Sequence, residues 1–292
     1  MTSYSNPETD SRLNAYQAAG KISKSRMAQE APLDAAALEA VEASDIVVVT
    51  GCYDHVEQVL GALEVPYTTV DPRHLDNLPL RPEQLLVVNC PGEMSSVAIV
   101  RIRDFVANGG TLFTTDWALR NIVEPAFPGT IEYNDRSTGD EVVRIEVVEA
   151  DSPYLAGVLD GENDPQWWLE GSSYPIRVLD AEQVRVLIRS RELGERYGEE
   201  AIAVVFPYGK GEVFHMISHY FLQRAEFRNA RHQRSAASYA EDKGVPFDEP
   251  MADMASDLSL YEVEAAATSS RMFANIAADK KRRWMEEQRR SG

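Results

Sequence analysis

Cys52, Cys90, His219 and several carboxylates sit just past apolar runs of the chain, and these are the residue types of nucleophilic chemistry. A thiol becomes a useful nucleophile when a neighbouring imidazole holds it as thiolate and a carboxylate orients that ring. Cys90 or Cys52 can supply the thiol, His219 the base, and Asp54, Glu93 or Asp116 the orienting carboxylate. The trio expected to act in an enzyme is Cys90, His219 and Asp116. Cys52, Tyr53, Asp54, Glu93 and Trp117 are expected to contact a ligand. A buried cysteine acts more often as a small hydrophobe, which leaves a core role open for each thiol. His215 and His219 with Asp116 and a cysteine also offer Zn²⁺ ligands, but they are scattered singly and lack the paired spacing of a zinc motif. No metal and no cofactor are therefore expected. Trp117 and the pair Trp167-Trp168 could line a ligand pocket with flat apolar faces, or serve as core. Gly209-Lys210-Gly211 lacks the phosphate-loop pattern and reads as a turn.

For such groups to meet, the elements before them must run side by side. Ile46-Val47-Val48-Val49 is a continuous β-branched run of the kind buried on both faces of a sheet. Val56, Val59, Leu60 and Leu63 follow at helical spacing, and Pro66 ends that helix. Tyr67-Thr68-Thr69-Val70 and Leu85-Leu86-Val87-Val88 read as the next two strands. A second amphipathic helix, capped by Ser95 or Ser96, runs to Ala107 and stops at Gly109-Gly110. Thr111-Leu112-Phe113-Thr114-Thr115 is the fourth strand. This alternation predicts an α/β fold, a doubly wound, mostly parallel flavodoxin-like sheet, whose ligand groups gather at the carboxyl ends of the strands. Cys52 to His55 follow the first strand, Cys90 and Glu93 the third, Asp116 and Trp117 the fourth, and His219 a late one.

Past residue 125 the pattern changes to one-sided alternation. Val143, Ile145 and Val147 face away from Arg144 and Glu146, and Val184, Val186 and Ile188 away from Arg185 and Arg189, which predicts antiparallel additions. Residues 201–217 read as a hairpin. Residues 221–240 are expected to be helical, 243–257 a loop, and 260–290 a long final helix. The basic cluster Lys280-Lys281-Arg282-Arg283 suits a solvated helix C-terminus. Three segments result: a mobile N-terminal arm ending in a short helix (1–44), the α/β domain (45–222) and a C-terminal helical extension (223–292).

Composition limits the function classes. With 292 residues, 44% of them hydrophobic, the chain can bury a sizeable core. Asp and Glu outnumber Lys and Arg by 47 to 29, giving a formal charge of -18, and a surface this negative repels nucleic acid and anionic lipid. Neither is an expected partner. Two cysteines form no disulfide framework, and no stretch reaches the ~20 apolar residues of a membrane span, so a cytoplasmic location is expected.

The ordered segments Leu85 to Gly92, Phe105 to Gly110, Thr111 to Trp117, and Tyr208 to Phe214 leading to His219, resemble the class I glutamine amidotransferase-like superfamily over residues 45–220. Active members carry a Gly-x-Cys-x-Gly bend after the strand that matches Thr111–Thr115, and a His followed two residues later by Glu. Here the bend is Thr115-Asp116-Trp117-Ala118, with neither Cys nor Gly, and Phe221 stands where Glu would be. The resemblance therefore implies a degenerate branch without amidotransferase chemistry. The expected function is a non-catalytic ligand-binding or assembly component of a larger complex, meeting a protein partner or a second copy through the arm and the final helix. The alternative is a small-molecule hydrolase using a displaced Cys90 or Cys52 with His219, or a carboxylate at the same sheet edge.

Overall fold

A computed structural model describes residues 7–159, 164–221 and 223–291. The strands are β1 (Ile46–Val49), β2 (Thr68–Val70), β3 (Leu85–Val88), β4 (Thr111–Thr115), β5 (Ile131–Tyr133), β6 (Glu141–Arg144), β7 (Glu146–Val147), β8 (Gln166–Leu169), β9 (Ile176–Val178), β10 (Arg185–Arg189), β11 (Ala201–Tyr208) and β12 (Gly211–Met216). The helices are α1 (Pro7–Glu30), α2 (Pro32–Glu39), α3 (Val56–Ala62), α4 (Ser96–Ala107), the single turn α5 (Glu124–Ala126), α6 (Arg191–Tyr197), α7 (Ala236–Asp242), α8 (Glu249–Met254) and α9 (Leu260–Ser291).

The main sheet runs β2-β1-β3-β4-β12-β11-β10-β7, with β9 pairing β11 and β5 pairing β9. Its first five strands are parallel. All others join antiparallel. This is the expected doubly wound α/β sheet with antiparallel additions and C-terminal helices. The order 2-1-3 reverses direction between β1 and β3, which opens a crevice at their carboxyl ends. Register does the rest. Val49 lies beside Val88, Val88 beside Thr114 and Thr114 beside His215, so the four chains leave the sheet at one level.

The β-branched and aliphatic runs in β1 and β3 are fully buried, as a sheet covered on both faces demands. Ser95 caps α4 by accepting from Ala98 N at 3.0 Å. One layer over the sheet is built from α3, α1 and α9, the other from α4 and α5. Phe273 of α9 meets Phe113 of β4 at 5.2 Å and Tyr220 at 6.0 Å, which fixes α9 to the sheet.

Four expectations are corrected. The arm over residues 1–44 is not mobile along α1: this 24-residue helix buries Ala15, Tyr16, Ala18, Ala19, Ile22 and Met27 against α9 and α3. The composition misled because the few bulky residues, Tyr16, Ile22 and Met27, are spread among alanines and polar residues; a Cβ on Gly20 would lie 2.3 Å from Ala62 O. The helix expected over residues 221–240 is, among the described residues, irregular chain over 223–229, a 3-10 turn at Ala230–Gln233 and then α7; residue 222 lies outside the described residues. Gln166 brackets Glu226, accepting from its N at 2.9 Å and donating to its O at 2.8 Å, and this holds the segment out of a helix. The loop expected over 243–257 contains α8, capped by Asp248. The basic cluster is no solvated end. Lys280 Nζ donates to Pro82 O at 2.7 Å and Gly109 O at 2.6 Å, Lys281 pairs with Asp45 at 2.7 Å, and Arg282 with Asp34 at 2.8 Å.

Among the described residues, no helix is long and apolar enough to cross a membrane.

Candidate functional site

The sharpest local feature follows β4. Asp116 has φ +44°, its N donates to Met216 O at 2.9 Å, and its O accepts from Leu119 N at 2.9 Å to start the turn at Leu119–Val123. A strand, a left-handed apex and a helical turn make the strained bend that presents a nucleophile in elbow-type enzymes. The bend forms here with Asp at its apex, because Asp is among the few non-glycine types that tolerate this region. Asp116 is 3% exposed. Its Oδ1 accepts from Tyr174 N at 2.9 Å and its Oδ2 from Ser173 Oγ at 3.3 Å. Burial pushes its carboxyl up to about 7, against the opposing pull of His219 and these donors.

His219 enters from the loop after β12, next to Ser218 at φ +64°. Its Nδ1 pairs with the Glu170 carboxylate, and its Nε2 lies 3.8 Å from Asp116 Oδ2. Burial works to lower its pKa, but the Glu170 bond and the charges of Asp54, Asp116 and Glu170 outweigh this and raise it. Ser218 Oγ accepts from Glu170 N at 2.9 Å, so the two loops are fixed to each other.

Cys90 completes the cluster. One sulfur, carboxylate and ring-nitrogen atom from Cys90, Asp116 and His219 lie within 4.8 Å of one another, and all three residues are buried. Burial pushes the Cys90 thiol well up, the Asp116 charge adds to this, and a hydrogen bond from the Trp117 backbone N opposes it. The thiol is thus not an activated nucleophile. In native protein, iodoacetamide is expected to label exposed Cys52 readily and Cys90 only after denaturant is added, read by peptide mass spectrometry. Fast labelling of Cys90 at neutral pH would restore the thiolate mechanism.

The structure therefore brings together Cys90, Asp116 and His219 and distributes the other candidates around them. Tyr53, 53% exposed, lies parallel to the His219 ring with centroids 6.4 Å apart and edge-on to Trp117 at 5.3 Å. Trp117 stacks on Tyr174 at 5.7 Å, and its Nε1 donates to Ser172 O at 2.8 Å. These rings form a partly open rim beside the polar cluster. Cys52 is exposed beside the rim; its N donates to Cys90 O at 3.2 Å, an approach that needs Gly51, since a Cβ there would lie 2.1 Å from Cys90 O. Asp54 is spent on the backbone, accepting from His55 N and Tyr220 N at 2.8 Å and Phe221 N at 3.1 Å. Its role is to seat the His219 loop. Glu93 is exposed and outside the cluster.

His215 lies outside it as well. Its Nδ1 pairs with Thr114 Oγ1 at 2.8 Å, and complete burial lowers it to about 3, so it stays neutral. Trp167 is core, donating Nε1 to Ile217 O at 3.0 Å. The guanidinium groups of Arg12 and Arg224 lie over the Trp168 ring at 5.5 and 5.6 Å. Glu170, Ser173 and Tyr174 were missed by the sequence reading. The only signal was the polar turn Glu170-Gly171-Ser172-Ser173 directly after the apolar run of β8.

A cavity of about 740 Å³ lies elsewhere, lined by Leu13, Lys21, Gln58, Phe221 and Met251 among others of α1, α3 and α8. It contains none of the cluster residues.

No protein-family model and no curated protein matches the chain. Solved structures do show likenesses. A cold-adapted β-galactosidase from Rahnella sp. R3 is 15% identical over 64% of this chain and 29% of its own, with a TM-score of 0.42. A ThuA-like protein from Bacteroides uniformis is 13% identical over 59% of this chain and 79% of its own, at 0.41. A cytoplasmic protein from Salmonella typhimurium is 13% identical over 61% and 88%, at 0.39. The chain spans less than a third of the length of the β-galactosidase. Identities and scores this low transfer no activity and no residue roles, so the chemistry of the site stands on its own geometry.

Proposed function

We propose that the protein is a small-molecule hydrolase whose reaction centre is the Asp116–His219–Glu170 relay beneath the Tyr53–Trp117 rim. One observation carries the reading: a buried carboxylate at a left-handed bend faces His219 Nε2 at 3.8 Å while a second carboxylate holds Nδ1 of the same ring. With Glu170 accepting the Nδ1 proton, Nε2 can take a proton from water and return it to a leaving group, as in other base–orienter pairs. Asp116 beside it stabilises the imidazolium that forms. The rim suits a substrate with a flat or ring-shaped apolar face. The negative cluster, in a chain of formal charge -18, suits a neutral substrate over an anionic one. A neutral small ester or amide is the fitting class.

Turnover of a panel of neutral aryl and alkyl esters and amides tests this. His219→Ala is expected to lower kcat/KM at least about 100-fold and Glu170→Gln about 10-fold or more, with Cys52→Ser within twofold of the parent. Absence of turnover across the panel, or a His219→Ala variant as active as the parent, sinks the reading.

The second reading, a non-catalytic ligand-binding or assembly component, draws support from the burial of Cys90, which raises its thiol pKa and leaves it unactivated. It predicts ligand-induced change in tryptophan fluorescence with no turnover. An assembly role through α1 and α9 has less support, because their apolar faces are buried within the chain.

A further inference from the structure

We infer that Cys90, Asp116 and His219 form a binding site for one zinc-class divalent cation. Glu170 engages His219 Nδ1, so Nε2 is turned to Asp116 Oδ2 across 3.8 Å, and the Cys90 sulfur joins them within 4.8 Å. Three electron-rich atoms converge on one point, and a proton or a cation has to lie among them. Tetrahedral zinc with bonds of about 2.0–2.3 Å places its ligand atoms roughly 3.3–3.7 Å apart, so the cluster needs to close by about 1.5 Å at most.

The donor set selects the ion. A sulfur, an imidazole and a carboxylate suit zinc or cobalt, whereas magnesium and calcium require mainly oxygen. Three protein ligands leave a fourth position free, the pattern of catalytic rather than structural zinc. The surroundings are those of a metal centre too. Glu170 on the far nitrogen of His219 makes a carboxylate–histidine pair of the kind that fixes ring orientation in zinc sites. Ser173 Oγ and Tyr174 N hold Asp116, and Asp54 holds the loop that carries His219. The ligands come from the ends of β3, β4 and β12, three adjacent strands in register, which sets the site on rigid elements. Among the described residues, sulfur, ring nitrogen and carboxylate come together only at Cys90, His219 and Asp116.

Metal binding does not depend on the hydrolytic reading. Where both hold, His219 Nε2 is a ligand of the cation rather than the base, and the cation supplies the Lewis acid that lowers the pKa of a bound water, with Glu170 positioning the His219 ring.

Titration of metal-free protein with Zn²⁺, and separately with Co²⁺, decides the matter by calorimetry and visible absorption. The expected result is one ion per chain with a dissociation constant under about 1 μM, and a cobalt spectrum carrying a thiolate charge-transfer band. Cys90→Ser should remove that band and weaken binding at least 100-fold, and Glu170→Gln should weaken it 10–100-fold while leaving the band in place. Because Glu170 is half-exposed, its variant is expected to fold even where a Cys90 variant does not. No saturable binding below about 100 μM, or equal affinity in parent and Glu170→Gln with no charge-transfer band, overturns the inference. Turnover measured with and without added Zn²⁺ separates the two proposals: zinc binding without turnover retires the hydrolase alone, and turnover unaffected by chelators retires the metal's role in it.

Discussion

Asp116→Asn is expected to stabilise the metal-free protein at pH 8 while abolishing both turnover and zinc binding. Burial raises the Asp116 carboxyl from its ordinary value to about 7, a shift worth at most about 4 kcal/mol if none of it is recovered by relaxation. Asparagine removes the buried charge and keeps what the site needs. Its Oδ1 still accepts from Tyr174 N, its amide can donate to His219 Nε2, and it tolerates φ +44° as well as aspartate does. A gain of about 1–2 kcal/mol is therefore expected, or several degrees in Tm. Its pH dependence has a definite sign. A folded-state pKa raised above the unfolded one means that the folded chain holds the extra proton between about pH 4 and 7. The parent loses stability as pH rises through that window, so the gain from Asn is full above 7 and fades toward 4. Urea melts of both proteins in chelator at pH 4.5 and pH 8 measure it. An Asn variant less stable than the parent at pH 8 would show that the carboxylate is there for structure, and the functional reading of the bend would fall with it. Residues that cost stability where they sit are kept for work.

The same residue shows how far sequence reaches into this site. The parallel strands were legible because Ile46–Val49 and Leu85–Val88 are unbroken aliphatic runs, and such runs belong to sheets covered on both faces. Once they were placed, the carboxyl-edge rule named Cys90, Asp116 and His219 as neighbours, and they are. What could not be read was the conformation that makes Asp116 interesting. Its left-handed φ depends on Met216 O and Leu119 N, one of them 100 residues away. Glu170 was invisible for a related reason. It lies at the end of β8, whose partner β6 forms a separate two-stranded sheet, and only tertiary packing turns that loop onto His219. Asp54 misled in the opposite direction. A carboxylate at a strand end looks like a ligand group, but its oxygens are taken by three backbone donors.

Helix α1 is the largest feature that composition hid, and cutting it away is expected to unfold the protein rather than free it of an appendage. Tyr16, 1% exposed, donates its hydroxyl to Tyr220 O at 2.9 Å, accepts from Ser269 Oγ at 3.1 Å, and packs its ring on Phe221 at 5.2 Å. Arg271 of α9, 3% exposed, rests on Glu30 at 3.0 Å and on Ser23 O at 3.3 Å. Truncating one large buried side chain to alanine costs about 3–5 kcal/mol, and cutting away α1 removes Tyr16, Ile22 and Met27 together and takes Glu30 and Ser23 O from the buried Arg271. Against a total stability of about 5–15 kcal/mol, loss of residues 1–30 exceeds the margin. Tyr16→Ala grades the effect at about 3–5 kcal/mol, and Tyr16→Phe, which keeps the ring and loses the hydroxyl's bonds, at about 1–2 kcal/mol by urea melts. Because Tyr220 and Phe221 directly follow His219 and share Asp54 with its loop, Tyr16→Ala should also weaken zinc binding in protein that is still folded. A truncated chain whose unfolding free energy from urea melts stays within about 1 kcal/mol of the parent would mean that α1 is an arm after all, with its apolar face available to a partner.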